Sequence, residues 1–226
     1  MLSRVARKLR GENIALDPNI PTAYLLGFAV TKVIARARGI VVLRRITPTA
    51  FVGRHARIRC ADKIRLQGYA NFGEGSYVDA LSREGLVLGH GFSLGRQASI
   101  ECTGTLQSMG KGLVTGANVG IGSFSFLGCA GGIMIGADTI MGNYVSMHAE
   151  NHNYADPNVP VRLQGVNHRG IVIGRNCWIG AKATILDGVQ LGDDCIVAAG
   201  AVVREGRYAS GSLLAGVPAK LIKILR

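Results

Sequence analysis

From Ile173 onward an aliphatic residue returns at every sixth position: Ile173, Ile179, Ile185, Leu191, Val197 and Val203. Gly follows at 174, 180 and 192, and a compact residue stands four places after each start, at Cys177, Ala183, Val189, Cys195 and Ala201. Upstream the pattern runs through Ile121-Gly122, Leu127-Gly128 and Ile133, slips by two residues, and resumes at Ile135-Gly136, Met141-Gly142 and Met147. Fainter copies stand at Val52-Gly53, Ile58, Leu88-Gly89, Leu94-Gly95 and Ile100. A period of six matches neither the 3.6-residue helix nor the alternation of a long strand. It matches a short strand and a corner, repeated as the flat sides of a prism. Stacked turns then bury the aliphatic column and satisfy the backbone through parallel ladders.

Composition agrees with a thin core and many corners. Apolar residues make up 48% of the 226 residues, aromatic residues only 6%, and there are 32 glycines. No apolar run reaches the length of about 18 residues that a spanning helix needs; the longest, Ala23 to Val30, stops at Lys32. The stretch MLSRVARKLRGEN lacks the apolar core and cleavage site of a signal peptide. Five cysteines without a CxxC pair imply free thiols and a cytoplasmic setting. Cys177 and Cys195 stand one 18-residue coil apart and are expected to stack as buried thiols.

Charge divides the chain. Residues 1–65 hold 14 Lys/Arg against 3 Asp/Glu, whereas residues 66–226 hold 12 against 11. An anionic partner for the N-terminal end follows. Few aromatics are interleaved with those charges, so nucleic acid is not expected. An anionic membrane surface or a phosphate-bearing lipid carrier, met through residues 1–45, fits better; a solvated segment that aids solubility is the plainer alternative.

The organisation expected is a basic N-terminal helical segment over 1–45, the prism over 46–206, and a tail over 207–226 with a terminal helix. Residues 20–38 read as an amphipathic α-helix, with Leu25, Leu26, Phe28, Ala29, Val33 and Ile34 gathering the apolar surface and Asn19 before Pro21 as start chemistry. Residues 148–170 break the period with two prolines and a run of Asn, Asp and His. They read as a loop projecting from the prism, where chemistry on a rigid scaffold usually sits.

The repeated [Ile/Leu/Val]-Gly-x-x-[small]-x unit resembles the hexapeptide-repeat acyltransferases, in their sugar and polysaccharide O-acetyltransferase branch. The resemblance covers about residues 50–225 and is most specific from 133 onward. It implies a mainly β fold: a left-handed parallel β-helix with three sides per coil, assembled as a homotrimer. The left hand follows from the resemblance alone, since ordinary crossover rules favour the right. It further implies acetyl-CoA as cosubstrate, a saccharide hydroxyl as acceptor and no metal; the lack of a cysteine in the loop beside the histidine favours direct transfer without an acyl-enzyme.

Within the resemblance His152 matches the catalytic base at the start of the loop. A sugar hydroxyl is a weak nucleophile toward a thioester, and a positioned imidazole can take its proton. His148 stands within the repeat register as a neighbouring candidate. Glu150, Asn151 and Asp156 are candidates to orient the imidazole or the acceptor, and Asp156 equally suits a turn. Ala181 and Ala199 match positions where pantetheine bonds backbone groups. Lys220 and Lys223 match the basic residues that meet coenzyme phosphates, and on a terminal helical turn they would share a face. Where relatives acting on maltose or galactosides carry polar acceptor residues, Phe126 to Gly132 is short and nearly apolar. Amine acetylation on an amino sugar is the alternative reading. A γ-carbonic-anhydrase-like metal enzyme, with ligands drawn from His148, His152 and His90, is a more distant one.

Overall fold

The computed structural model describes residues 17–225. The stretch Met1 to Asn13, on which much of the basic charge and the signal-peptide reading fall, lies outside the described residues. The chain forms a left-handed parallel β-helix of seven coils, each with three short strands. The first face begins with Ala50–Val52, Ala70–Phe72 and Phe92–Leu94; the second with Arg57–Arg59, Tyr77–Asp79 and Ser99–Glu101; the third with Ile64–Leu66, Gly85–Leu88 and Gly112–Thr115.

Register explains why the repeat is clear at one end and faint at the other. Successive coils on the first face advance by 20, 22, 27, 20, 38, 18 and finally 17 residues, as read from Val52↔Phe72, Phe72↔Leu94, Leu94↔Ile121, Gly120↔Ile140, Ile140↔Trp178, Trp178↔Ile196 and Ile196↔Leu213. Only the advance of 18 is the bare three-by-six coil. The differences are confined almost wholly to one corner. From the end of each first-face strand to the start of the next second-face strand is five positions in all seven coils. The corner from the third face back to the first takes four or five. The corner from the second face to the third ranges from three positions, between Leu186 and Val189, to 23, between His148 and Ile171.

The two constant corners are fixed by left-handed backbone. His55, Gly75, Gln97, Phe124, Tyr144, Lys182 and Gly200 form one column of positive φ, and Gly91, Asn118, Asp138, Asn176, Asp194 and Gly211 form the other. Gly, Asn and Asp tolerate this region best. Gly142 and Gly180 have a second constraint. A Cβ on either would lie 2.6 Å and 2.5 Å from the backbone nitrogens of Ala181 and Ala199 in the next coil.

The core is one aliphatic column fed by all three faces: Leu94, Ile121 and Ile179 from the first, Leu127, Met147 and Ile185 from the second, Ile133, Ile171 and Leu191 from the third. Compact residues fill the corners, where Cys177 stacks above Cys195 and Ala183 above Ala201. All five cysteines are free thiols, and all but Cys60 are buried.

One α-helix is found among the described residues, α1 (Thr22–Leu43). It packs on the first coil through Ala35, Gly39 and Leu43, not through the apolar residues picked out from sequence. The helix lies so close to the strand beneath that a Cβ on Gly39 would overlap the Ala50 carbonyl oxygen. Leu26, Phe28, Val33 and Ile34 are exposed. The helix begins after Pro21 without a side-chain cap, and Asn19 instead donates to the Asp17 carboxylate.

Two further differences from the sequence reading stand out. The terminal helix is absent: Ala219–Ile224 is a strand, antiparallel to Ser212–Gly216. The last coil would otherwise leave an open parallel edge, and the chain reverses at Gly216-Val217-Pro218 to cover it. A second excursion, residues 103–111, leaves the same variable corner two coils before the longer loop and passed unnoticed in the sequence.

Candidate active site

The second face carries His148 at the outer end of strand Ser146–His148. Its Nε2 lies 2.6 Å from Ser146 Oγ, and its ring sits 5.5 Å from that of Phe126 in the coil below. Partial burial pushes the His148 pKa below the ordinary imidazole value, so the ring is neutral at pH 7.

Immediately beyond, the chain leaves the prism. Asn151–His152 pairs antiparallel with Val166–Asn167, with His152 opposite Val166. The hairpin is closed by its own polar residues. The Asn153 N–H donates to the Gly165 carbonyl at 3.0 Å, Asn153 Nδ2 donates to the Gln164 carbonyl at 3.0 Å, and Asn167 Nδ2 donates to Asn153 Oδ1 at 2.8 Å. Gln164 bonds the Asp156 and Val159 carbonyls in turn.

Both ends of the loop are tied to one buried carboxylate. Asp187, only 2% exposed, accepts the Arg169 N–H at 3.0 Å, the Gly170 N–H at 2.8 Å and Asn151 Nδ2 at 3.3 Å. Arg169 also pairs with Glu205. The loop is thus a fixed projection whose neck is set by the coil above it.

Against that frame of bonds the expected residues distribute unevenly. His152 is exposed on the hairpin, and among the described residues its imidazole meets no hydrogen-bond partner. Glu150 faces His168, with Oε2 3.6 Å from Nδ1. Asp156 takes the turn role: its carboxylate accepts the Asn158 N–H at 2.9 Å. Asn151 holds the neck through Asp187. None of the three orients His152 within one protomer.

Ala181 and Ala199 stack in the corner between the first and second faces. At three positions of the constant corners the matching N–H is met by a side chain from the next coil: Asn143 Oδ1 accepts from Ser123 at 2.9 Å, Asp193 Oδ1 from Arg175 at 2.7 Å, and Ser210 Oγ from Asp193 at 3.1 Å. Alanine offers no such acceptor. Among the described residues no group accepts the Ala181 or Ala199 N–H, and both residues are exposed. Both N–H groups are therefore open donors, as are those of Glu74, Arg96 and Asn143 at the same corner, and the alanines differ in adding no bulky side chain beside them.

Lys220 and Lys223 lie on a strand, where a spacing of three would ordinarily place them on opposite faces. The register restores them to one face. Lys223 pairs with Leu213, Leu221 with Leu214 and Lys220 with Ala215, which leaves Ile222 as an extra residue. Leu213 and Ala215 are two apart and point outward, so both lysines do as well.

The comparisons with known proteins agree with this architecture. Residues 170–205 match the family described as bacterial transferase hexapeptide (six repeats). That match covers the most regular stretch of the prism and not the whole chain. WbbJ of Escherichia coli strain K12, named as an O-acetyl transferase of lipopolysaccharide biosynthesis, is 30% identical over 126 residues, 52% of this chain and 64% of that one. A protein of Mycobacterium tuberculosis named as a probable acetyltransferase is 29% identical over 58% of this chain and 43% of its own length. The chain thus matches less than two thirds of either relative. Among solved structures, the N-acyltransferase AntD from Bacillus cereus, crystallised with dTDP and 3-hydroxybutyryl-CoA, shares the fold. Its TM-score is 0.53 at 17% identity, over 78% of this chain and 80% of that one.

In this hexapeptide-repeat chain the sequence reading missed Asp187, His168 and Ser146. Asp187-Gly188 does carry a signal, because it falls where the corner is shortest and departs from the aliphatic-Gly pattern. His168 and Ser146 carry none, since their partners come from register. His148, His152 and His90 do not gather into a ligand set: His90 stacks edge-on against Tyr69, with ring centroids 4.8 Å apart. Among the described residues no three His, Cys, Asp or Glu are grouped to hold a metal ion.

Proposed function

We propose that this chain transfers an acetyl group from acetyl-CoA to a hydroxyl of a saccharide, with His152 as general base. The observation that carries the reading is the pairing of a fixed loop histidine with open backbone donors at Ala181 and Ala199. The donors suit the amide carbonyls of a pantetheine arm, and the outward Lys220 and Lys223 suit its phosphates. The naming of the E. coli relative supports a saccharide of surface polysaccharide assembly as acceptor.

In the reaction the acceptor oxygen attacks the thioester carbon while His152 takes the hydroxyl proton. The C–S bond then breaks, and the imidazolium returns the proton to the departing thiolate. Direct transfer fits the loop, which holds no cysteine to form an acyl-enzyme. An acetyl-CoA donor supports a cytoplasmic setting for the reaction.

The reading requires a second copy. Ala181 and Ala199 lie at one corner of the prism and the loop neck at another, with the second face between them. A threefold assembly brings the loop of one prism to the groove of its neighbour. The decisive experiment is a thiol-release assay against hydroxyl and amino sugars, free and lipid-linked, on protein sized by light scattering. Turnover restricted to amino acceptors, or full activity in a monomer, would overturn the corresponding part of the proposal.

A further inference from the structure

Helix α1 presents an apolar stripe to the outside. At about 100° per residue, Leu26, Val30, Val33, Ala37 and Val41 fall on one line, with Ile34 beside them. That line is opposite Ala35, Gly39 and Leu43, which pack on the prism. Val30, Val33 and Val41 are 58%, 70% and 75% exposed, and Leu26 61%. Isolated exposed apolar side chains need no explanation, but an uninterrupted stripe spanning about four turns of helix does. No helix among the described residues is long and apolar enough to cross a membrane, so the stripe is a surface feature.

Its electrostatic setting identifies what covers it. Residues 18–61 contain no Asp or Glu, and they carry Lys32, Arg36, Arg38, Arg44, Arg45, Arg54, Arg57 and Arg59. Ile46, 68% exposed, extends the apolar surface beyond the end of the helix. The sequence before the helix adds Arg4, Arg7, Lys8 and Arg10 against Glu12 and Asp17. An apolar stripe among cations matches the boundary between headgroups and acyl chains of an anionic bilayer. A second copy of the chain would set the same cations against one another.

We propose that α1 lies in the plane of an anionic membrane surface, with Val30, Val33 and Val41 seated among the acyl chains. The prism then stands off the bilayer from its N-terminal end. This docking is independent of the transfer reaction and is tested separately from it.

The test is flotation of the full chain with vesicles of phosphatidylcholine alone and of phosphatidylcholine with phosphatidylglycerol. The chain is compared with a variant carrying Val33→Asn and Val41→Asn, which leaves every charge in place. Both side chains are exposed, so the exchange leaves the fold intact. The parent should partition onto the anionic vesicles and not onto phosphatidylcholine alone, and the variant should bind at least about tenfold more weakly. Equal binding by parent and variant would show that charge alone acts and would overturn the insertion. So would failure of the parent to bind. A fall in oligomer size in the variant would reassign the stripe to contacts between copies.

Discussion

The Asn151 side-chain amide donates to the Asp187 carboxylate at 3.3 Å, joining the first residue of the loop hairpin to a corner 36 positions later. The same carboxylate receives the N–H groups of Arg169 and Gly170, so one buried side chain closes both ends of the excursion. Asp187→Ala leaves these donors without an acceptor, at a cost of about 1–3 kcal/mol. The expected result is a lowered Tm together with faster proteolysis within residues 150–169. Unchanged protease resistance of the loop would remove Asp187 as its anchor.

His152→Ala should lower kcat by about 10²–10⁴-fold while KM for acetyl-CoA changes little, because the donors at Ala181 and Ala199 are untouched. His148→Ala is the control and should retain most of the turnover. A folded His152→Ala protein with near-normal kcat on its best acceptor would exclude the base assignment.

His148 gives a prediction about stability. Burial lowers its folded pKa below the ordinary 6.5, so between those two values the unfolded chain holds a proton that the folded chain does not. Stability is therefore complete above pH 6.5 and declines as pH falls through the window below it. His148→Gln has no proton to gain and should flatten that acid limb. Melting curves between about pH 5 and pH 8 measure it, and parallel declines in both proteins would show that His148 contributes nothing.

Lys220→Glu with Lys223→Glu should raise KM for acetyl-CoA several-fold or more, with the melting temperature near that of the parent, since both side chains are exposed. Initial-rate kinetics at saturating acceptor read this directly. An unaltered KM would remove the lysines from the coenzyme site.

The fold was legible because its signal is periodic and local. Each aliphatic residue from Ile173 to Val203 reports its own place in a coil, and nothing distant is needed to interpret it. The signal fades upstream because coils of 20, 22 and 27 residues put the same residues at irregular spacings. The site was legible only as a collection of residues. That Glu150 turns to His168 and Asn151 to Asp187 depends on which corners stack, and composition carries no trace of it. The closing strand was read as a helix because Ala-Lys-Leu-Ile-Lys suits either form. The open edge of the last coil decides between them, and the bulge at Ile222 then returned the two lysines to the common face that a helix would also have given.

Variable length confined to a single corner makes the prism modular. The five-position corner beside Ala181 and Ala199 keeps its length whether the variable corner spans three positions or 23. On the proposed function, the loop that would meet the acceptor can therefore be exchanged as a cassette between Ala149 and Gly170, provided that it presents an amide to Asp187, while the corner at Ala181 and Ala199 is inherited unchanged. Acceptor preference would then be a portable trait, and chimaeras that swap this segment are expected to carry it from one prism to another.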